Sequence, residues 1–201
     1  MLTATDLTRD GKILDAAVAS VRPDGATLGA ALKAATAPEH IAALAIIAGS
    51  IRTNDLAPQL VQLLDRDGVA GRAAAWALAQ LGAEKELLHA VESGKLDQRE
   101  NGYHGLAVLA ARGAASTALS DSLVRQVAAE IARAKSGGTG LGEHACRVLA
   151  VLGTKGLPDL IQQVIENDRF CDRFELQRLR KAVEDGGKDA ASARDLSAQW
   201  T

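Results

Sequence analysis

The sequence predicts an all-α chain built as a stack of helix pairs, and three observations carry that reading. Four segments, Glu39–Gly49, Arg72–Gly82, Glu100–Ala110 and Glu143–Gly153, are variants of one Ala/Leu-rich phrase, and three of them stop at a glycine. Repetition of this kind marks a helical array, in which each pair buries its apolar stripe only against its neighbours. Apolar residues make up 47% of the 201 residues but aromatics only 2%, so alanine and leucine must build the core. Both have high helix propensity, and small side chains let helices approach closely. Period-two clusters of β-branched and aromatic residues, the strand signal, are missing.

The elements follow in order. Residues 1–10 are polar. Lys12–Val21 reads as a helix, ended by the turn-forming Arg22-Pro23-Asp24-Gly25. Thr27–Thr36 reads as a second, alanine-rich helix closed by Ala37-Pro38, and this atypical hairpin (1–37) suits an N-terminal cap. Residues 38–167 hold four repeats. Each copy of the phrase, helix A, is followed by a second helix, B: Pro58–Leu64, Glu86–Val91, Ser122–Val127 and Pro158–Val164. Pro58 and Pro158 fall in the first helical turn, where a missing N–H is harmless. Inter-repeat turns such as Asp65–Gly68 and Glu92–Gly94 are polar and glycine-bearing. The A helices start about 33, 28 and 43 residues apart, a helical-repeat period. The longest interval contains an extended B helix, Asp121–Lys135, and the glycine-rich segment Ser136–Gly142. Arg169–Glu184 is a charged helix that caps the C-terminal end, so the repeat domain covers 1–185 with its cap at 168–185. Residues 186–201 form a polar tail.

Aligned A helices divide into faces. The seventh and tenth places hold Ala45/Ala48, Leu78/Leu81, Leu106/Leu109 and Leu149/Leu152, the expected core stripe. The eighth holds Ile46, Ala79, Ala107 and Ala150, suited to close helix approach. The first, fifth and ninth places share one face at i, i+4 spacing. They hold Glu39, Arg72, Glu100 and Glu143; Ala43, Trp76, His104 and Arg147; and Ile47, Gln80, Val108 and Val151. This reads as the outer, partly exposed face, with Trp76 either an exposed anchor or covered by the long insertion. Aligned B helices present two polar rows at i, i+3: Gln59, Glu86, Ser122 and Asp159, then Gln62, His89, Arg125 and Gln162.

The segment Val69–Gly82, preceded by Asp65 and Asp67, resembles a HEAT repeat, most closely the short bacterial type also found in phycobilisome lyases. That type runs aspartate, valine-arginine, paired alanines, then alanine-leucine and leucine-glycine. Here Ala70-Gly71 intrude before Arg72. The copy ending Val148–Gly153 matches the second half well. The copy ending Ile46–Gly49 lacks the arginine, and the third replaces the final glycine by Ala110. The resemblance spans roughly residues 38–167. It implies a right-handed α-solenoid of about five antiparallel helix pairs, HEAT/armadillo-like, with the B helices lining a concave side. HEAT arrays mostly act as scaffolds and protein-binding surfaces, and a minority of relatives assist chemistry such as bilin attachment.

Other function classes find less support. Net charge is about −2, whereas a nucleic-acid binder is more often basic. No apolar run approaches the roughly 20 residues of a membrane span, and the N-terminus lacks a secretory pattern. Cys146 and Cys171 have no CxxC spacing, and a reduced, cytoplasmic setting is the simplest reading. His40, His89, His104 and His144 lie in different repeats without helical ligand spacing. Ser136–Gly142 leads into a helix N-terminus that could meet an anion, but it has neither GxGxxG nor a Walker lysine. Arg169, Arg173 and Arg180 fall on one face of the C-terminal helix, as an anion site or as a solvated face with Arg180 paired to Glu184. No catalytic, cofactor or metal residue is assigned. The expectation is a non-enzymatic scaffold that binds a protein partner through Gln59, Gln62, Glu86, His89, Ser122, Arg125, Asp159 and Gln162. Trp76, Arg169, Arg173 and Arg180 form the alternative surface. A lyase-like chaperone for a chromophore or small molecule and a helical-repeat nucleic-acid binder are the rival readings.

Overall fold

The computed structural model describes residues 24–136, 141–153, 156–167 and 173–186. Among the described residues the chain forms ten α-helices and no strand. These are α1 (Gly25–Ala34), α2 (Pro38–Ser50), α3 (Ala57–Gln62), α4 (Gly68–Gln80), α5 (Glu84–Ser93), α6 (Leu96–Ala111), α7 (Thr117–Lys135), α8 (Gly142–Leu152), α9 (Leu157–Asn167) and α10 (Arg173–Gly186). Short 3-10 turns, Asn54–Leu56 and Leu63–Asp65, flank α3. The expected helix Lys12–Val21, residues 137–140 of the glycine-rich segment, Arg169, Cys171 and the tail from 187 lie outside the described residues. No helix among the described residues is long and apolar enough to cross a membrane. The chain divides into two compact units, and the boundary falls inside α6, between Gly105 and Leu106.

Some helix starts depart from the sequence reading. α1 begins at Gly25 rather than Thr27 because Asp24 caps it. The Asp24 carboxylate accepts the Thr27 N–H at 2.7 Å and the Thr27 hydroxyl at 3.0 Å. Those bonds, the N–H first, hold its carboxyl below the ordinary 3.8. α7 starts at Thr117, one turn before the expected Asp121.

Helix stops obey one rule with two lengths. α4 and α8 end on the phrase's last glycine, with Gly82 at φ 71° and Gly153 at φ 73°. In the third copy Ala110 stands where that glycine would be. The helix therefore runs on until Gly113 at φ 68°, where Ala114 N–H reaches back to the Leu109 carbonyl at 3.1 Å. In the first copy Gly49 lies inside α2, and the left-handed position falls to Arg52 at φ 54°, with Thr53 N–H bonded to the Ala48 carbonyl. Arg52 is the one non-glycine residue at positive φ among those described. Its Cβ crowds the following carbonyl there. Arg52→Gly should raise stability by about 0.5–1 kcal/mol, the relief of that crowding less the added freedom of the unfolded chain. A lower urea midpoint for the variant would refute this.

In the first unit α2 and α4 make the most extensive helix contact. Gly49 explains how they come so close: a Cβ there would stand 2.8 Å from both the Ala77 Cα and the Trp76 ring. α1 lies beside the α3 segment, where Gly29 meets Leu56 and Gln59. α6 approaches α4 and α5 through Gly105, against the Ala75 carbonyl and Leu87. In the second unit α8 packs on α7 and α9, and α10 covers α9 and α8.

The expected core stripe holds at Ala45, Ala48, Leu78, Leu106, Leu109 and Leu149, and all four eighth-place residues are buried. Leu81 and Leu152 are corrections, being only half-buried. Both sit at the last turn, beside the left-handed glycine that ends the helix, where no further turn covers them. Leu106→Ala, at a fully buried site, should cost roughly 2–5 kcal/mol. An unchanged denaturation midpoint would show the A-helix register to be misplaced.

Asn101 supplies a polar tie inside this apolar packing. It is 5% exposed, and its Nδ2 donates to the Leu64 carbonyl at 3.0 Å and the Arg66 carbonyl at 2.9 Å. It thereby fixes α6 to the turn that precedes α4. Gly71 leaves room for it, since a Cβ there would overlap the Arg66 carbonyl oxygen and the Asn101 amide. Asn101→Ala strands buried carbonyls and should cost about 1–3 kcal/mol. Asn101→Asp, which faces both carbonyls with an acceptor, should cost at least as much. Urea titration of the two variants checks the order.

Candidate functional site

The B helices carry their polar rows outward in each unit. In the first, Gln62 at the end of α3 and Glu86 and His89 on α5 are exposed. The apolar residues of α5, Leu87, Ala90 and Val91, point inward, so spacing alone turns Glu86 and His89 to solvent. Gln59 differs. It is half-buried against Gly29 of α1, and its Oε1 is buried without a hydrogen-bond partner. In the second unit Arg125 on α7 and Asp159 on α9 are exposed, and these two B helices pack against each other. Ser122 is half-buried and accepts a hydrogen bond from Arg125 at 3.1 Å.

Gln162 is half-buried and already engaged. Its Nε2 donates to Glu166 at 2.7 Å, and its Oε1 accepts from Arg180 of α10. Arg180 also donates to Glu184 at 2.9 Å, the pairing expected for a non-binding helix face. Arg173 is exposed, and Arg169 lies outside the described residues. Of the three arginines, Arg180 is thus tied to Glu184 within α10 and to Gln162 of α9, while Arg173 is open to solvent.

Of the two readings of Trp76, exposed anchor or covered indole, the structure shows the covered one, with α2 as the cover. The register sets it on an outer face, yet it is 3% exposed. A neighbouring A helix does the covering: α2 lies on α4, with Gly49 against the indole. Val108 and Val151, aligned in the ninth place of the same face, are also buried. The face taken as outer is in part buried by packing, at Trp76 against α2 and at Val108 and Val151. What remains at its edge is charged. Arg72 lies 3.7 Å from Glu100, and Arg147 bridges Glu143 at 3.4 Å to Glu175 of α10.

Glu130 escapes the sequence reading altogether. It is fully buried in α7, bonded to Arg133 at 2.8 and 3.2 Å, and it accepts the Leu141 N–H at 3.1 Å. That N–H opens α8, the helix terminus the glycine-rich segment leads into. The negative group at this terminus is the chain's own carboxylate. A signal was available: Glu130 follows Leu123 and Val127 at i+7 and i+3, on the apolar stripe. Removing it with Glu130→Ala leaves Arg133 and the Leu141 N–H without this carboxylate and should cost about 1–3 kcal/mol, since Arg133 can turn to solvent. Glu130→Gln, which keeps an acceptor, should cost less. Equal losses in thermal melts would contradict the bonding role.

His40 and His89 are exposed, while His104 and His144 are half-buried. Among the described residues no three His, Cys, Asp or Glu side chains are grouped to hold a metal ion. Cys146 is buried among apolar neighbours of α8. Comparison of the chain with protein-family models, curated proteins and solved structures finds no match.

Proposed function

We propose that this chain is a HEAT-like helical-repeat scaffold, without enzymatic activity of its own, that binds a protein partner through the exposed face of its B helices. The observation that supports this most is the recurrence of exposed polar residues at equivalent B-helix places in both units: Glu86 and His89 in one, Arg125 and Asp159 in the other. Buried faces explain themselves by packing. Amphipathic spacing turns the polar row to solvent, and a row repeated in register suits distributed recognition by shape and charge. The row mixes signs, which favours a partner of mixed charge over a polyanion.

Gln62, Glu86, His89, Arg125 and Asp159 are the contacts we put forward. Gln59, Ser122 and Gln162 act at the margin, because each is half-buried. Trp76 is not proposed as an anchor.

The experiment begins with affinity capture of a partner by the full chain. Glu86→Ala/His89→Ala and Arg125→Ala/Asp159→Ala are then compared with Arg173→Ala on α10, each with an unchanged helical circular dichroism spectrum. Each double variant should weaken binding at least about tenfold, the effect of losing some 1.4 kcal/mol. Full affinity in both double variants would overturn the assignment. A loss confined to Arg173→Ala would move the site to the C-terminal helix.

A further inference from the structure

We draw no further inference here: the strongest candidate, the face of α4 where the Trp76 indole N–H is buried without an acceptor one turn from the Arg72–Glu100 ion pair, carries nothing because that nitrogen is sealed from solvent and nothing in the structure shows what would reach it.

Discussion

The first unit depends on a fit between an amide and a missing methyl group. Asn101 reaches from α6 to two backbone carbonyls in the turn before α4, and it does so through the space that Gly71 leaves empty. A turn that leaves a short helix has carbonyls with no helical partner, and burying them unsatisfied is costly. The same bond that meets this need also sets the distance and direction of α6. Neither residue works without the other. Gly71 with no amide beside it would be a weak point in a helix, and Asn101 beside an alanine would be pushed off its acceptors. The two glycine-and-amide positions lie 30 residues apart in sequence, so the constraint acts between repeats rather than within one.

Around that tie the packing works by subtraction. Alanine and glycine line the contact between α2 and α4, and the main aromatic bulk at that contact, Trp76, lies over a glycine. Close backbone approach brings many weak dispersion contacts at little side-chain entropy, which suits a chain poor in aromatics. The helix stops use the same economy of shape. A left-handed residue ends each A helix, three times glycine and once Arg52, either ten or thirteen residues after the helix's aligned first place. The difference of three is close to one turn, so the longer helices leave in nearly the same direction as the shorter ones. Sequence repeats that look uneven thus keep equivalent exits.

Most of the helices were legible because their signals are local. Alanine-leucine phrases, prolines in first turns and polar turn residues each act within a few positions, and they locate the A and B helices to within a turn. The seventh- and eighth-place residues followed from period alone. What stayed hidden depends on partners distant in the chain. Trp76 is covered by a helix some 30 residues earlier, and nothing in its own segment says so. Glu130 sits on a stripe that period assigns to apolar residues and Asn101 on the face read as outer, and the identity of their acceptors and donors is tertiary information. Gln162 looked like a free surface amide because Arg180, its partner, lies in another helix. Gln62, Glu86, His89, Arg125 and Asp159 are exposed as the period of the B helices indicates, because their inward residues take the core side.

The division of labour between the two kinds of helix bears on where binding can evolve. The A helices are largely buried, and charges at their edge are paired, as Arg72 is with Glu100 and Arg147 with Glu143 and with Glu175 of α10. A substitution there disturbs packing first. The B helices bury one stripe and leave the other in water, so residues such as His89 and Arg125 can change with little cost to the fold. Surface ion pairs and polar contacts of this kind contribute little stability. Their exposure follows from the amphipathic spacing of the B helices, which leaves that face free of packing constraints.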